Sequence, residues 1–303
     1  MARRHGDRMI DYPEDERLRE QAGLHDLQAP VLIRDIVRVV ELLNLRAKRF
    51  FNKRSVLSGS MALRCFGSPR FTVYDADFST SAETVDPPAS MTELLRYSDE
   101  NLDIIPTAAR AADHRETLMQ VEPIRFDAAF TSIVLAEQDR QFKADISFRG
   151  LLLDGREVPV ATPYSLGLWD EPPTVWVMDP VEALAEKILG WCVHGLVKHY
   201  ADAAWITIAA QTTGSPLAFA YPQLREVLHA KLALMRRLQP DTYRPFPSVD
   251  AVIGKLAQPP QFDRVQWQKL VYLQAHRAAH SQADLRRIVQ QTLAPGLRRS
   301  QSR

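Results

Sequence analysis

The chain has 303 residues, 46% of them hydrophobic and 25% charged, a composition that fits one or two packed domains and excludes a fibrous or disordered protein. The net charge of +1 hides a split: residues 180–303 carry 16 Lys and Arg against 8 Asp and Glu, and the rest carries 22 against 29. Cys65 and Cys192 form no CxxC pair, which excludes a zinc ribbon or a disulfide framework, and no run reaches the roughly 18 apolar residues of a membrane span.

Residues 1–29 are polar and charged, without an apolar stretch of signal-peptide length. They predict a loose arm or short helix on a cytoplasmic protein. From Pro30, Val31, Ile36, Val37, Val40 and Leu43 recur at helical spacing and predict an amphipathic helix. RSVLSGS then predicts a short strand running into Gly59 and Ser60, and MALRCF a helix. RFTVYDADFS alternates and is rich in β-formers, so it predicts a strand. Residues 80–115 are polar, and Pro87, Pro88 and Pro106 predict short helical pieces between breaks.

LMQVEPIRFDAAF and RQFKADISF predict two further strands, and LLLDGREVPVATP a DG turn followed by another. The Pro-rich stretch 169–178 predicts a linker or a sheet edge. Asp179 then fits a helix N-cap, Pro180 the first helical position, and Glu182 a capping-box partner. Helical patterns follow to the end: VEALAEKILGWCVHGL, HYADAAWITIAAQ, YPQLREVLHAKLALMRRL, SVDAVIGKL, FDRVQWQKLVYLQAH and ADLRRIVQQTL. The tail APGLRRSQSR predicts a basic, frayed end. The expected organisation is an α/β domain over residues 1–168 and an α-helical domain over 169–303. The acidic front half suits metal chemistry, and the basic back half suits a polyanion.

The informative stretch is LSGSMALRCFGSPRFTVYDADF, residues 57–78. Gly59 and Ser60 stand where a strand turns into a helix, so the backbone can come close to a ligand and the helix start offers amides to phosphate. The Ser60 hydroxyl adds a donor. Asp75 and Asp77 hold alternate positions of one strand and leave the same face. Two ionised carboxylates that close repel unless a divalent cation lies between them, and magnesium suits such hard oxygen donors. Asp145, a lone acid in FKADISF, can join them from a neighbouring strand. A lone DxD is common on surface strands; the GS turn upstream and the strand acid downstream lift it above that reading.

With these residues in place, the chain resembles the nucleotidyltransferase superfamily typified by DNA polymerase β, and within it the AbiEii/AbiGii toxin family, including its MenT-type members. The resemblance runs from the helix before Gly59 to about Ala204, with Arg70 and Thr72 ahead of the acids. It implies an α/β (α+β) core with a small mixed sheet flanked by helices, followed by a C-terminal α-helical domain. It implies metal ligands at Asp75, Asp77 and Asp145, nucleotide contacts at Gly59, Ser60, Arg70 and Lys187, and catalytic roles for Lys187 in LAEKIL and Asp202 in KHYAD. Lys198 and His199 depart from the family's Arg-Asp-x-x-Asp pattern, and Ser-Gly-Ser from its usual Gly-Gly-Thr or Gly-Gly-Ser turn.

The resemblance further implies two Mg2+ ions, an NTP substrate, an RNA acceptor (the tRNA 3′ end, with a block of translation) and an antitoxin partner. From the residues alone, Lys187 also fits a surface lysine with its stem on apolar neighbours. Asp202 fits a residue that orients Lys187 or a substrate hydroxyl, or one that pairs with Lys198. His194 and His199 fit core or surface roles, and the five tryptophans fit packing roles or, near the cleft, a base-stacking one. There is no GxxxxGK[ST] or GxGxxG loop. Two other readings stay open: a nucleotidyltransferase acting on a protein or small molecule, and a catalytically silent binder of RNA or antitoxin.

Overall fold

The computed structural model describes residues 55–68, 75–80, 97–98, 102–110, 124–132, 140–147, 151–159, 174–258, 260–272 and 281–300. For Ser55, Asp75, Ala76, Lys269, Val271, Tyr272 and the strands between residues 97 and 147 the description covers the backbone alone. The helix expected from Pro30, the residues Arg70 and Thr72, and Trp169 lie outside the described residues.

Eight strands among the described residues form one mixed sheet: β1 (Ser55–Ser58), β2 (Asp75–Thr80), β3 (Tyr97–Ser98), β4 (Leu102–Arg110), β5 (Ile124–Ser132), β6 (Arg140–Ser147), β7 (Arg156–Pro159) and β8 (Thr174–Val177), in the order β3-β4-β5-β6-β2-β1-β8-β7. The pairs β2–β6 and β1–β8 are parallel and the others antiparallel. Helix α1 (Gly59–Cys65) follows β1 without a break.

Two expectations fail here, each for a local reason. The short helical pieces predicted around Pro106 give way to strand β4, which runs through that proline. The register of β4 against β5 shifts between Pro106 and Ala108, so the missing amide falls at a bulge. The stretch predicted as a linker or edge contains β8, which lies between β1 and β7. Pro172 and Pro173 precede that strand rather than interrupt it, and Val175 and Val177 are both fully buried.

Past β8 the chain is helical: α2 (Pro180–His194), α3 (Val197–Ala209), α4 (Tyr221–Leu238), α5 (Pro240–Tyr243), α6 (Val249–Leu256), α7 (Arg264–Tyr272) and α8 (Gln282–Ile288), then a π-helical turn (Val289–Leu293) and α9 (Ala294–Arg299). The start of α2 is built as its sequence suggests. Asp179 accepts from the Val181 amide at 2.8 Å, Pro180 takes the first turn, and Gly195 closes the helix in the left-handed region at φ 63°. Val181, Leu184, Ala185 and Ile188 are buried as their spacing predicts.

Glu182 does not complete a capping box. It is fully buried and accepts from the amides of Leu152 at 3.1 Å and Leu153 at 2.9 Å, while Lys231 of α4 reaches it at 2.6 Å. Tertiary partners therefore satisfy this carboxylate in place of the helix's own first turn. Nor is the C-terminus frayed through residue 299: Ala294, Gly296 and Leu297 are buried, so α9 belongs to the core.

One apolar core joins the two kinds of element. Val56 of β1, Leu63 of α1 and Leu151 before β7 belong to the same buried cluster as α2, α3, α4, α6 and α9. Fully burying each Leu or Ile stabilises by about 1.5–3 kcal/mol. Both cysteines are buried, Cys192 in this core, and burial pushes each thiol up to about 12, with the Arg64 and Lys255 charges opposing only in part. Neither thiol should therefore react with an alkylating reagent at about pH 8 in the native protein. Mass spectrometry after brief labelling checks this: no native adduct and two adducts in denaturant are expected.

Candidate functional site

The site begins at the end of β1. The antiparallel register sets Ser58 opposite Asp77, so the residue after Ser58 starts its turn directly beside that aspartate. Gly59 turns with φ 66°, and a Cβ placed on it would stand 2.0 Å from Asp77 Oδ2 and 2.9 Å from its Cγ. Glycine is required twice over, once for the left-handed backbone and once for the carboxylate lying against it. Ser60, in the first turn of α1, is 6% exposed. Ser58 supplies no side-chain cap to α1.

The other side of β2 completes the arrangement. β2 and β6 run parallel with Asp77 directly opposite Asp145 and Asp75 opposite Lys143. Neighbouring strands stand about 4.8 Å apart, and alternate residues of one strand about 6.6 Å apart on one face. The backbone positions of Asp75, Asp77 and Asp145 therefore form a triangle on a single face of two adjacent strands. The side chains of Asp75 and Asp145 lie outside the described residues, as does Arg70 altogether. Among the described residues, no group of three or more His, Cys, Asp or Glu side chains forms a metal-holding cluster. The residue types at the triangle fit a hard divalent cation: carboxylates on adjacent strands, one held at a glycine turn.

Lys187 and Asp202 come together at 2.8 Å across the α2–α3 hairpin, with 8% and 2% of their surfaces exposed. The amino group points inward, so Lys187 is not a surface lysine with its stem laid on the core. Asp202 takes Lys187 as an ion-pair partner. A buried pair of this kind gains little net stability, because desolvation offsets the attraction. The helix carrying Lys187 is tied to the GS turn through β8, since Leu57 pairs with Val177 and the Met178 amide donates to Leu57 O at 2.8 Å.

Elsewhere on the same two helices the packing is aromatic. Trp191 meets Tyr200 edge-on at 4.9 Å, and Tyr200 meets Phe262 edge-on at 5.5 Å. Burial pushes the Tyr200 hydroxyl well above its ordinary range, and the Arg286 charge only partly opposes this. Trp191 is thus a core residue as expected, and Phe262 stacks on Trp267 at 5.6 Å. His194 is exposed at the end of α2. Gly190 escaped notice in the sequence. A glycine inside an otherwise regular helical pattern signals close approach of a neighbour, and here the neighbour is the ring of His199.

A model of the nucleotidyl transferase AbiEii toxin of type IV toxin–antitoxin systems matches residues 42–292. The chain belongs to the AbiEii family. The match extends past the stretch of motifs between the first helix and Ala204 and takes in the helical half. Among solved structures, this AbiEii chain is similar to MenT4, a nucleotidyltransferase toxin from Mycobacterium tuberculosis H37Rv. That likeness has 19% identity and a TM-score of 0.58, covering 93% of this chain and 92% of that one. It is also similar to JHP933 from Helicobacter pylori at 14% identity and a TM-score of 0.45, covering 93% and 96%. A search of curated proteins gives no match. The AbiEii assignment makes the chain a nucleotidyltransferase toxin of a toxin–antitoxin pair, with an antitoxin partner and a nucleotide substrate. The fold is that of the MenT4 structure, a mixed sheet with a helical C-terminal part. No helix among the described residues is long and apolar enough to cross a membrane.

Proposed function

We propose that this AbiEii protein transfers a nucleoside monophosphate from an NTP to an RNA acceptor, the tRNA 3′ end, and so blocks translation. The observation that carries the reading is the parallel register of Asp77 on Asp145, with the Asp77 carboxylate against the Gly59 turn. Asp75, Asp77 and Asp145 are the residues that would hold Mg2+, as one or two ions. When bound, the metal would offset triphosphate charge and lower the pKa of the attacking hydroxyl.

The chain's own groups do the positioning. Gly59 would let the triphosphate approach the backbone, and the first amides of α1 with the Ser60 hydroxyl would donate to its oxygens. Arg70 adds a cation to the same phosphates. Lys187, held by Asp202, neutralises charge that builds on the leaving pyrophosphate, and its burial strengthens the effect. Catalysis of this type is mostly alignment and electrostatics. Residues 169–303 would carry the acceptor; 16 basic against 8 acidic residues from 180 onward suit a polyanion better than a small molecule.

The test offers each labelled NTP with Mg2+ to total RNA, to protein and to small-molecule acceptors. Label is expected in the tRNA fraction. Asp75→Ala and Asp77→Ala should each cut transfer by at least about a thousandfold with an unchanged melting curve. A folded Asp75→Ala/Asp77→Ala protein that still labels RNA ends the mechanism. Label on protein or small molecules alone ends the RNA reading, and NTP binding without transfer to any of them points to a silent binder.

A further inference from the structure

The α2–α3 hairpin is antiparallel and closes at Gly195 and Leu196. Lys187 meets Asp202 across it, and three residues nearer the turn on each helix Gly190 meets His199. The two contacts are therefore neighbours along the interface, about 4.5 Å of helical rise apart. A Cβ built on Gly190 would stand 3.2 Å from three atoms of the His199 ring, Cγ, Cδ2 and Nε2. Equal distances to three ring atoms mean that the imidazole lies face-on over the glycine. The missing methyl opens a slot in α2, and the ring fills it.

A glycine in mid-helix is a poor choice for α2 itself, because alanine at the same place holds a helix better. The slot accounts for its presence. It lets α3 come in closer than a methyl would allow, one helical step from a buried ion pair at 2.8 Å. Packed interiors transmit such displacements, because they leave few voids to absorb them.

We propose that Gly190 and His199 are positioning residues for nucleotidyl transfer, the ring in the slot setting the α2–α3 spacing at which Asp202 holds Lys187. This rests on the reading that Lys187 and Asp202 serve the transfer. His199 acts through Asp202 and Lys187, by shape rather than by proton transfer.

The test is a double-variant cycle on the full chain, reading kcat and KM with labelled NTP and total RNA, and melting temperature alongside. Gly190→Ala forces the ring outward by a few tenths of an ångström. It should lower kcat about three- to tenfold, since misplacement of 1 Å can cost about a hundredfold. KM should hold, and the melting temperature should hold or rise because the helix gains a better former. A purely structural role would move kcat and stability together. In a His199→Ala background the slot is vacated, and adding Gly190→Ala should cost nothing further. An equal loss in both backgrounds, or a wild-type kcat for Gly190→Ala, overturns the proposal. A wild type that transfers to no acceptor sinks the parent reading and this one with it, whereas a working wild type matched by Gly190→Ala sinks this one alone.

Discussion

A Gly59→Ala protein is expected to lose nucleotidyl transfer by about a hundredfold or more while remaining folded. Two effects add. An alanine at φ 66° takes up a left-handed backbone that costs roughly 1–2 kcal/mol for any residue with a Cβ. The new methyl would also lie 2.0 Å from Asp77 Oδ2, far inside contact distance. The carboxylate is the movable partner, because the turn is fixed between β1 and α1. The strain therefore falls on Asp77, which must swing away from the turn. A shift of about 1 Å at a reacting centre costs on the order of a hundredfold, and this shift is at least that large. Single-turnover rates with labelled NTP measure it, with circular dichroism as the control for folding. A Gly59→Ala protein with the wild-type rate would mean that Asp77 does not need its place beside the turn.

Stability should respond most to Lys231. Its amino group is 2.6 Å from Glu182 and 2.9 Å from Glu186, with the residue 2% exposed. Burial alone would lower its pKa, but Glu186 and Glu182 more than offset this and hold it above the ordinary 10.5. Lys231→Met keeps the bulk and removes the charge, which leaves the fully buried Glu182 with no cation. Breaking a buried pair from one side costs about 3–5 kcal/mol, and the low end applies here because Leu152 and Leu153 still donate to Glu182. Denaturant midpoints at a constant slope measure the loss.

Replacing Glu182 as well should not recover it in full, since the two part-buried amides would then lose their acceptor. The sign of the pH dependence follows from the raised pKa. The stability that Lys231 contributes is present in full below pH 10.5 and fades only as pH rises through the folded-state value above it. The gap between wild type and Lys231→Met should thus stay flat over roughly pH 6 to 9 and narrow only in stronger alkali. A gap below about 1 kcal/mol would show that the cation adds nothing at this position.

The legible parts of the sequence were those whose cause is local. Alternation around Asp75 and Asp77, the GS turn, the cap at Asp179 and the long apolar stripes of α2 and α4 each carry their reason within a few residues. What escaped depended on a partner elsewhere in the chain. Glu182 had the spacing of a capping box, but nothing near it could reveal Lys231 or the Leu152 and Leu153 amides. Pro106 read as a breaker because a bulge can be seen only against the opposing strand. Residues 169–178 read as a linker or a sheet edge because Pro172 and Pro173 hide the short inner strand after them. The candidate site divides in the same way. Its acids were legible as a pattern along one strand, and their parallel pairing across β2 and β6 was not. Lys187 and Asp202 came from a likeness to a family, and the contact between them came from the fold.

The junction at residues 177–180 has a further meaning for how such proteins change over time. Val177 ends a strand inside the sheet and Pro180 opens the helix that bears Lys187, with only Met178 and Asp179 between them. Exchange of whole segments between relatives works best where few contacts are severed. A crossover at residue 168 would separate β1 from β8 and leave a bare hydrogen-bonding edge, and one at Met178 or Asp179 would part the sheet from the helix that bears Lys187. The heritable unit for the chemistry is therefore the sheet together with the α2–α3 hairpin and the helices α4, α6 and α9 that share its core, so a change of recognition surface has to come from exposed side chains rather than from an exchange of helices.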